Sequence, residues 1–434
     1  MISVKNSTTV CSHILSLLIS FFISLCIAIG LLVAASFLPQ NPVDENVFDS
    51  AELIDREGSD FYIADHSRAT RMSNNSESIM LLESKTMSSD NILSIFSNPR
   101  YSYEKNDSSV EDLMSYVSGE EGANLVLYSR YWMGFRATLR LLLQKLDYYQ
   151  IRRYTATIFF VLLFSAVCSV SNHINSKVAL LFAASIILVR PHVIAVSLQA
   201  FTCFCIALLA MILVPYVERH PKVEPIFFME IGIATMYFDF YTTPVLTFGL
   251  PMIYLYMLRW EKRKENRFVT IFADSIAWLF GYAFMWLSKL VLTQIFTTED
   301  ALSEGLGSFL YRIQASGSVG EEHRYTLFDA LYEVAMVLMS DNTGARIFLG
   351  CGFLVLLIFG VLFIGRKRPA GVLLKNIGIL AIALYPIAWF AVASQPTAIH
   401  AYFQYRGIAV TFFGLLCYMY LCLYERKDIV CNDQ

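Results

Sequence analysis

The chain has 434 residues, 56% of them hydrophobic, with a formal net charge of -3 and a mean hydropathy of +0.52. This composition excludes an ordinary soluble domain, in which about 45–50% of residues are apolar. Proteins that bind nucleic acid carry basic patches, so the slightly acidic balance argues against that class of partner. About ten apolar stretches instead predict an all-α membrane protein.

The nine cysteines give no sign of a disulfide framework or of a metal site. They lie in or beside apolar segments or in the terminal tails, and the long polar segment from Pro39 to Asn124 contains none. Their spacing matches no metal-binding motif. Cys203 and Cys205 are expected to pack within a helix rather than to form a redox pair.

The first predicted element is an apolar helix close to the N-terminus. Ile14 to Leu38 is a run of 25 residues without a charge, whereas the apolar part of a signal peptide has about 7–15 residues. Val33-Ala34-Ala35 resembles a cleavage site, but the length of the run favours a retained first transmembrane helix.

Further apolar stretches approach the roughly 20 residues that a membrane-crossing helix needs. The predicted spans are 14–38, 154–172, 178–189, 193–217, 226–238, 244–258, 268–294, 346–364, 374–394 and 407–424. Two short spans flank residues 239–243, where Thr243 could cap a helix that begins with Pro244. We predict a broken helix there, and a similar pair that meets at Arg190-Pro191-His192.

The connections between the spans alternate in charge, and this sets the predicted orientation. Every second connection carries Lys and Arg, which the positive-inside rule places in the cytoplasm. The segment from Pro39 to Asn124 has 17 Asp and Glu against 6 Lys and Arg. We therefore predict ten crossings, with both termini in the cytoplasm.

Five regions follow from this topology. Residues 1–38 form the cytoplasmic N-terminus and the first transmembrane helix, and 39–153 form a large extracytoplasmic loop with an interfacial helix. Residues 154–294 hold the second to seventh spans, and 295–345 form another extracytoplasmic loop. Residues 346–434 hold the last three spans and a cytoplasmic tail.

Both large outer loops contain amphipathic patterns. Apolar residues recur at steps of three and four at Tyr128, Trp132, Phe135, Leu139, Leu142 and Leu146. Arg136 and Arg140 fall on another face, which predicts a helix in the membrane interface that either anchors the loop or binds substrate. A second stripe near Phe328 and Leu331 predicts either a flexible cover over a lipid substrate or a passive connector.

Polar and ionisable side chains at four outer turns are the candidate site residues, since a charge in hydrocarbon costs about 2.5 kcal/mol or more and usually faces a cavity or a partner. The turns carry Asp44 and Glu45, Arg190 and His192, Asp239 and Tyr241, and His400, Gln404 and Arg406. We expect them to converge on one outward-facing cavity. The cationic pair of His400 and Arg406 suits a phosphate group.

Most of these residues also have a plainer explanation. Asp44 and Glu45 could be solvated, Arg190 could extend to the lipid headgroups, and Asp239 could cap a half-helix. Within span 268–294, Asp274 and Lys289 are predicted to extend toward the headgroups.

Three segments resemble bacterial polytopic membrane proteins of surface-polysaccharide synthesis. In chain order they are Tyr128-Ser-Arg-Tyr-Trp-Met-Gly-Phe-Arg136, Tyr237-Phe-Asp-Phe-Tyr-Thr-Thr-Pro244 and His400-Ala-Tyr-Phe-Gln-Tyr-Arg406. The organisation of those proteins is similar to that of GT-C glycosyltransferases. The present chain carries Glu77 where the relatives have Asp, and Gln395-Pro-Thr where they often have Asn-His-Ser.

The resemblance implies a plasma-membrane glycosyltransferase that transfers a sugar from a polyprenyl-phosphate donor to a cell-envelope glycan or lipid on the outer side. An acidic residue of the first outer loop would act as the base, a role for Asp44, Glu45 or Glu77. Positive charge where the phosphate leaves would come from Arg190, His400 or Arg406.

The remaining residues of the predicted set would bind substrate. Trp132, Tyr241 and Tyr405 could stack on sugar faces, and the set is completed by Arg136, His192 and Asp239. A divalent metal could bridge a carboxylate and the phosphate, although no ligand spacing demands one. Two alternatives stay open: a flippase or permease for a lipid-linked or small solute, and a non-catalytic protein of envelope assembly.

Overall fold

The computed structural model describes residues 2–64, 66–240, 242–262, 268–313, 325–339, 350, 360 and 376–431. Most of these residues are helical, as predicted. The helices are α1 (Ile2–Ser36), α2 (Gln40–Glu57), α3 (Asn74–Lys85), α4 (Ser94–Ser97), α5 (Ser109–Val117), α6 (Phe135–Leu142), α7 (Tyr148–His173), α8 (Ser176–Leu188), α9 (Pro191–Val196), α10 (Leu198–Arg219), α11 (Glu224–Phe238), α12 (Pro244–Glu261), α13 (Phe268–Phe296), α14 (Ala301–Ile313), α15 (Leu327–Leu338), α16 (Ile377–Ala383), α17 (Tyr385–Val392), α18 (Ser394–Ile399), α19 (Ala401–Gln404) and α20 (Ile408–Cys431). Four short strands form two antiparallel pairs, β1 (Asp60–Tyr62) with β2 (Arg71–Ser73) and β3 (Pro99–Ser102) with β4 (Asn124–Leu127).

Several helices have the length and composition of membrane spans. Within the described ranges, five are long and apolar enough to cross a membrane: His13–Ser36, Tyr148–His173, Leu198–Arg219, Phe268–Phe296 and Ala401–Cys422. Ser176–Leu188 and Ile377–Val392 are apolar but shorter. The predicted span 346–364 lies outside the described residues, apart from Gly350 and Gly360. The helical, membrane-type architecture is confirmed, and the count of ten crossings stays a prediction.

The predicted helix break between α11 and α12 is present, but a different residue caps it. The side chain of Thr243 makes no capping hydrogen bond, although Pro244 does occupy the first turn of α12. Instead, the carboxylate of Asp239 accepts hydrogen bonds from the backbone N and the Oγ1 of Thr242, at 2.8 and 2.7 Å. Asp239 therefore fixes the turn from inside it.

The second predicted break, between α8 and α9, is also present. Arg190 adopts a left-handed backbone with φ of 61°, and α9 begins at Pro191. A left-handed residue ends a helix, and proline is favoured at the first helical position. The short α9 is followed by α10, whose N-terminus is capped by Ser197.

The helix ends described by these contacts fall on two sides of the bundle. On one side, Glu218 pairs with Lys262 and Glu224 pairs with Arg259. On the other, the hydroxyl of Tyr405 lies 3.2 Å from the carbonyl oxygens of both Ala69 and Val189, which share its one proton. We call this second side, which lies against residues 39–147, the loop end, and residues 39–147 the outer segment.

The outer segment packs directly on the bundle. It has a small apolar core that includes Val43, Ile54 and Leu113, and this core continues into Ile151 of α7 and Leu198 of α10. The segment is therefore attached to the membrane helices rather than free to fold as an independent domain.

The predicted interfacial helix of residues 128–146 is wrong. The helix α6 covers only Phe135–Leu142, and Trp132, Arg136 and Arg140 are at most 1% exposed. The arginines are buried because distant carbonyl groups satisfy them. Arg140 reaches the carbonyl of Ala35, in the last turn of α1, and that of Leu38, just after it, at 2.9 Å each.

Glycines bring α11 and α13 into backbone contact. A Cβ placed on Gly232 would lie 2.1 Å from the carbonyl oxygen of Trp278, and one on Gly281 would lie 2.1 Å from that of Met229. Any larger residue at these two positions would push the helices apart. The contact fixes the positions of Trp278 and Tyr282, two aromatic residues of α13 that line a cavity.

Candidate functional site

A cavity of about 590 Å³ lies at the loop end, between the outer segment and the bundle. Its walls come from residues 128–133 of the outer segment, from α13 and α14, and from the chain between Trp389 and Gln404. The volume is within the range of about 300–1,000 Å³ found for small-molecule sites.

Aromatic rings form much of the cavity wall. They are Tyr128, Tyr131, Phe240, Trp278, Tyr282, Trp286, Phe309, Trp389, Tyr402 and Phe403. Trp278 and Tyr282 stack with ring centroids 5.1 Å apart and an interplanar angle of 14°. Packed rings of this kind present flat, rigid faces to a ligand.

A few polar side chains point into this aromatic lining. Arg130 donates from Nη1 to the Oγ of Ser308 at 2.6 Å, which joins the outer segment to α14. The side chain of Gln199 is 4% exposed and lines the cavity, and it has no hydrogen bond to any other residue that the structure describes. Of the described residues that line the cavity, none is acidic.

The predicted cations are divided between the cavity wall and the protein interior. His400 is exposed, lines the cavity and stacks on Phe403 with ring centroids 5.3 Å apart. Arg406 is 2% exposed and lies over the ring of Tyr405, away from the cavity lining. Arg190 and His192 also lie outside the lining, at the start of α9.

Of the other predicted aromatic residues, Trp132 and Tyr405 are not part of the cavity lining. Trp132 is fully buried and donates from Nε1 to the carbonyl of Met285 at 2.6 Å. Tyr405 is held by its two carbonyl partners at the loop end. Tyr241 lies outside the described residues.

Two of the predicted acids stand apart from the cavity, on α2. The Oδ1 of Asp44 accepts a hydrogen bond from Gln40 at 2.7 Å and lies 3.6 Å from the Nζ of Lys85. Glu45 is exposed. Neither lines the cavity.

Glu77 lies directly behind the cavity wall. Its Oε1 accepts hydrogen bonds from the Oγ of Ser197 at 3.0 Å and from the backbone N of Gln199 at 3.2 Å. Ser76 and Gln199, its neighbours along the chain and in space, both line the cavity. Burial raises the pKa of Glu77, while hydrogen bonding from Tyr148, the charge of Arg152 and the bonds from Gln199 and Ser197 lower it.

The prediction that Asp274 and Lys289 extend to the headgroups is wrong, since they are only 1% and 0% exposed. Lys289 donates from Nζ to the carbonyls of Phe96 and Ile95, at 2.6 and 3.3 Å. A buried ammonium group needs such acceptors. Lys289 thus attaches α4 of the outer segment to α13.

Beside Lys289, Glu83 forms the centre of a buried charge cluster. It is fully buried, and neither carboxylate oxygen has a hydrogen-bond partner in the described structure. Burial raises the pKa of Glu83 to about 7, although the charges of Arg136, Arg100 and Lys289 lower it. Arg136, a predicted substrate-binding residue, therefore belongs to this cluster and not to the cavity wall.

The raised pKa of Glu83 makes the stability of the outer segment depend on pH. The folded protein binds this proton more tightly than the unfolded chain. We therefore expect the free energy of unfolding to fall as the pH rises from 4.5 to about 7, and to stay level at higher pH. Glu83→Gln cannot ionise and should remove this part of the decline. Limited proteolysis of the outer segment at several pH values measures it; an unchanged pH dependence in the variant contradicts the assignment.

Sequence reasoning missed several residues of the wall. Arg130 and Tyr131 lie in the segment from Tyr128 to Arg136, where the sequence pointed to Trp132 and Arg136 instead. Gln199 is a single amide residue at the start of the apolar helix α10. The lining from Trp278 to Trp286 occupies one face of a helix that looked uniformly apolar. The one sequence feature that could have indicated the cavity wall is Gln199, a polar residue in the first turn of the apolar helix α10.

Among the described residues, no group of three or more His, Cys, Asp or Glu side chains is placed to hold a metal ion. No family model, curated protein or solved structure matches the chain. The geometry of the cavity is therefore the basis for a function.

Proposed function

We propose that the protein is an integral membrane glycosyltransferase, organised like the GT-C enzymes, that uses a polyprenyl-phosphate sugar donor on the outer side of the plasma membrane. The observation that supports this most is the aromatic cavity where the outer segment meets the apolar helices. A lipid-linked sugar combines a flat polar head, an anionic phosphate and an apolar chain, and this position suits all three parts.

The sugar head of the donor would occupy the cavity, while its chain would remain in the membrane. The cavity volume suits a sugar phosphate but not a whole polyprenyl lipid. Leu279, Val392 and Ile399 line the cavity and are still 55%, 49% and 48% exposed. This apolar side is the proposed route by which the chain leaves.

The proposed base is Glu77, because of the three acids predicted for that role it is the one that adjoins the cavity wall. A carboxyl with a raised pKa is suited to accept a proton near neutral pH. Rotation of the Gln199 side chain, which no described residue holds by a hydrogen bond, would open a path from an acceptor hydroxyl to Glu77. His400 would contribute positive charge beside the leaving phosphate.

The topology proposed with this function has ten crossings, with both termini in the cytoplasm. The Lys and Arg residues of alternate connections support it, as does the meeting of the helix breaks with the outer segment at the loop end.

A second function, a flippase or carrier for a lipid-linked solute, is favoured by one observation. None of the described lining residues is acidic, so the cavity as it stands offers a place to bind but no base in contact with the ligand. Purified protein in nanodiscs, supplied with polyprenyl-phosphate sugars and envelope acceptors, decides between the two. Sugar transfer or donor hydrolysis supports the enzyme; binding without turnover, together with flux in proteoliposomes, supports the carrier.

Arg130 is the proposed partner of the donor phosphate. In the structure its guanidinium bonds to Ser308, and on donor binding it would exchange this hydroxyl for an anion. Arg130→Ala is expected to weaken donor binding by about tenfold to a hundredfold, the loss of one or two charge-assisted hydrogen bonds, and to leave binding of uncharged polyprenol unchanged.

The matched control is Arg153→Ala, which removes an exposed arginine that lies over the ring of Tyr149. Affinities for the phosphorylated and the uncharged lipid are compared in nanodiscs. If Arg130→Ala lowers both affinities equally, or neither, the phosphate does not bind at this guanidinium.

A further inference from the structure

The strand β4 exposes three consecutive apolar side chains. Leu125, Val126 and Leu127 are 58%, 40% and 39% exposed. A strand with one face in water normally alternates apolar and polar residues, so this run indicates apolar surroundings on both faces. Ile92 and Leu93, just before α4, are also exposed. These five residues are called the apolar rim.

The α4 part of the apolar rim is attached to the last turns of α13, and the β4 part is attached to α4. The carbonyl of Phe96 in α4 accepts hydrogen bonds from Lys289 at 2.6 Å and from Thr293 at 2.9 Å. The rings of Phe96 and Phe296 stack at 5.3 Å. The backbone N–H of Tyr128, the residue after β4, donates a hydrogen bond to the carbonyl of Ser97 at 2.9 Å.

The length of α13 places this attachment at the membrane surface. The helix has 29 residues, and at about 1.5 Å per residue it is about 43 Å long. A bilayer with its headgroups is about 40–45 Å thick. When α13 crosses the membrane, Phe296 therefore lies near headgroup depth, and its ring, which stacks on Phe96 beside the apolar rim, is 45% exposed.

We propose that the apolar rim inserts into the outer leaflet and contacts the acyl chains of phospholipids just below their headgroups. The rim contains no charge, and it adjoins the exposed ring of Phe296 at the end of an apolar helix of membrane length, which is why lipid rather than a protein is its occupant. Insertion would hold Tyr128 and Arg130, at the cavity edge, at the level of the membrane surface. The proposal concerns the membrane contact alone and does not depend on sugar transfer.

Photoactivatable lipids test this in the intact protein. Phosphatidylethanolamine and phosphatidylglycerol nanodiscs with a diazirine in the acyl chain are irradiated, and labelled peptides are mapped by mass spectrometry. Peptides with residues 92–93 and 124–127 should be labelled at least about tenfold more than the exposed turn at Glu104 and Lys105 of the same segment. The peptide of Val291–Phe296 is the positive control.

A variant separates insertion from accidental proximity. Val126→Asp places a charge in the exposed strand and should abolish labelling of 124–127 while leaving labelling of Val291–Phe296 unchanged, since a carboxylate resists burial in lipid. Labelling of the rim no stronger than that of Glu104 and Lys105 overturns the proposal, and so does a rim that is unlabelled because another protein or a second copy covers it.

Discussion

Glu77→Gln is expected to lower the rate of sugar transfer by about 10²–10⁴-fold, the usual contribution of a general base, with donor affinity almost unchanged. Glutamine has the shape of the native residue, and its side-chain oxygen can still accept the hydrogen bonds from Ser197 and Gln199. It cannot accept a proton. The measurement is transfer by purified variant in nanodiscs at saturating donor.

The controls for Glu77 are the other two predicted acids. Asp44→Asn and Glu45→Gln alter carboxylates on α2 that do not line the cavity, so they should retain transfer. Because the base works only when ionised, transfer by the native protein should also fall as pH drops below the raised pKa of Glu77. Full transfer by Glu77→Gln, or loss of transfer in Asp44→Asn alone, would give the role of base to another residue.

Arg140→Ala should have the largest effect on stability, at about 3 kcal/mol or more. The guanidinium is 1% exposed and joins the outer segment to α1. Besides its bonds to Ala35 and Leu38, it donates to the carbonyl of Ser84 at 3.1 Å and to the side chain of Gln40 at 3.0 Å. Alanine would leave these buried carbonyls without a donor and open a void.

The thermal midpoint of Arg140→Ala in detergent, and protease cleavage within the outer segment, measure this effect. Arg140→Lys keeps the charge but not the fork-shaped donor set, so its midpoint should fall between those of the alanine variant and the native protein. The exposed Arg153→Ala is the matched control and should leave the midpoint unchanged. A native midpoint in Arg140→Ala would mean that the arginine does not hold the two parts together.

Local signals in the sequence predicted the helices and their breaks. Proline at the first position of a helix places the starts of α9 and α12, because its backbone conformation and missing N–H suit that position. Long uncharged runs predict membrane-length helices for the same local reason. These features depend on residues close together in the chain.

The burial of α6 could not be predicted in this way. Arg136 and Arg140 form a polar stripe that is typical of a helix at a membrane surface. Their partners are carbonyls at the end of α1 and in α3 and α4, and nothing in the segment itself shows that these groups are near. The same holds for Lys289, whose acceptors lie nearly two hundred residues earlier in the chain.

The candidate site was located only in part. The sequence predicted a meeting of residues at the loop end, and His400 does line the cavity there. It could not reveal that Arg406 packs inward over Tyr405, or that Arg130 provides a cation at the wall, because both depend on how distant helices pack. When a helix is largely apolar on every side, as α13 is, its aromatic residues do not reveal from the sequence which of its faces lines a cavity.

Donor binding to two tryptophan variants on neighbouring turns tests whether the sugar donor occupies the cavity at the loop end. Ala393 is 8% exposed and lines the cavity, whereas Ala388 on the preceding helix is exposed and does not. Binding of a polyprenyl-phosphate sugar to the native protein, Ala393→Trp and Ala388→Trp is measured in nanodiscs. Ala393→Trp is expected to fill the cavity and abolish binding, while Ala388→Trp should bind like the native protein; equal binding by both variants would show that the donor does not occupy this cavity.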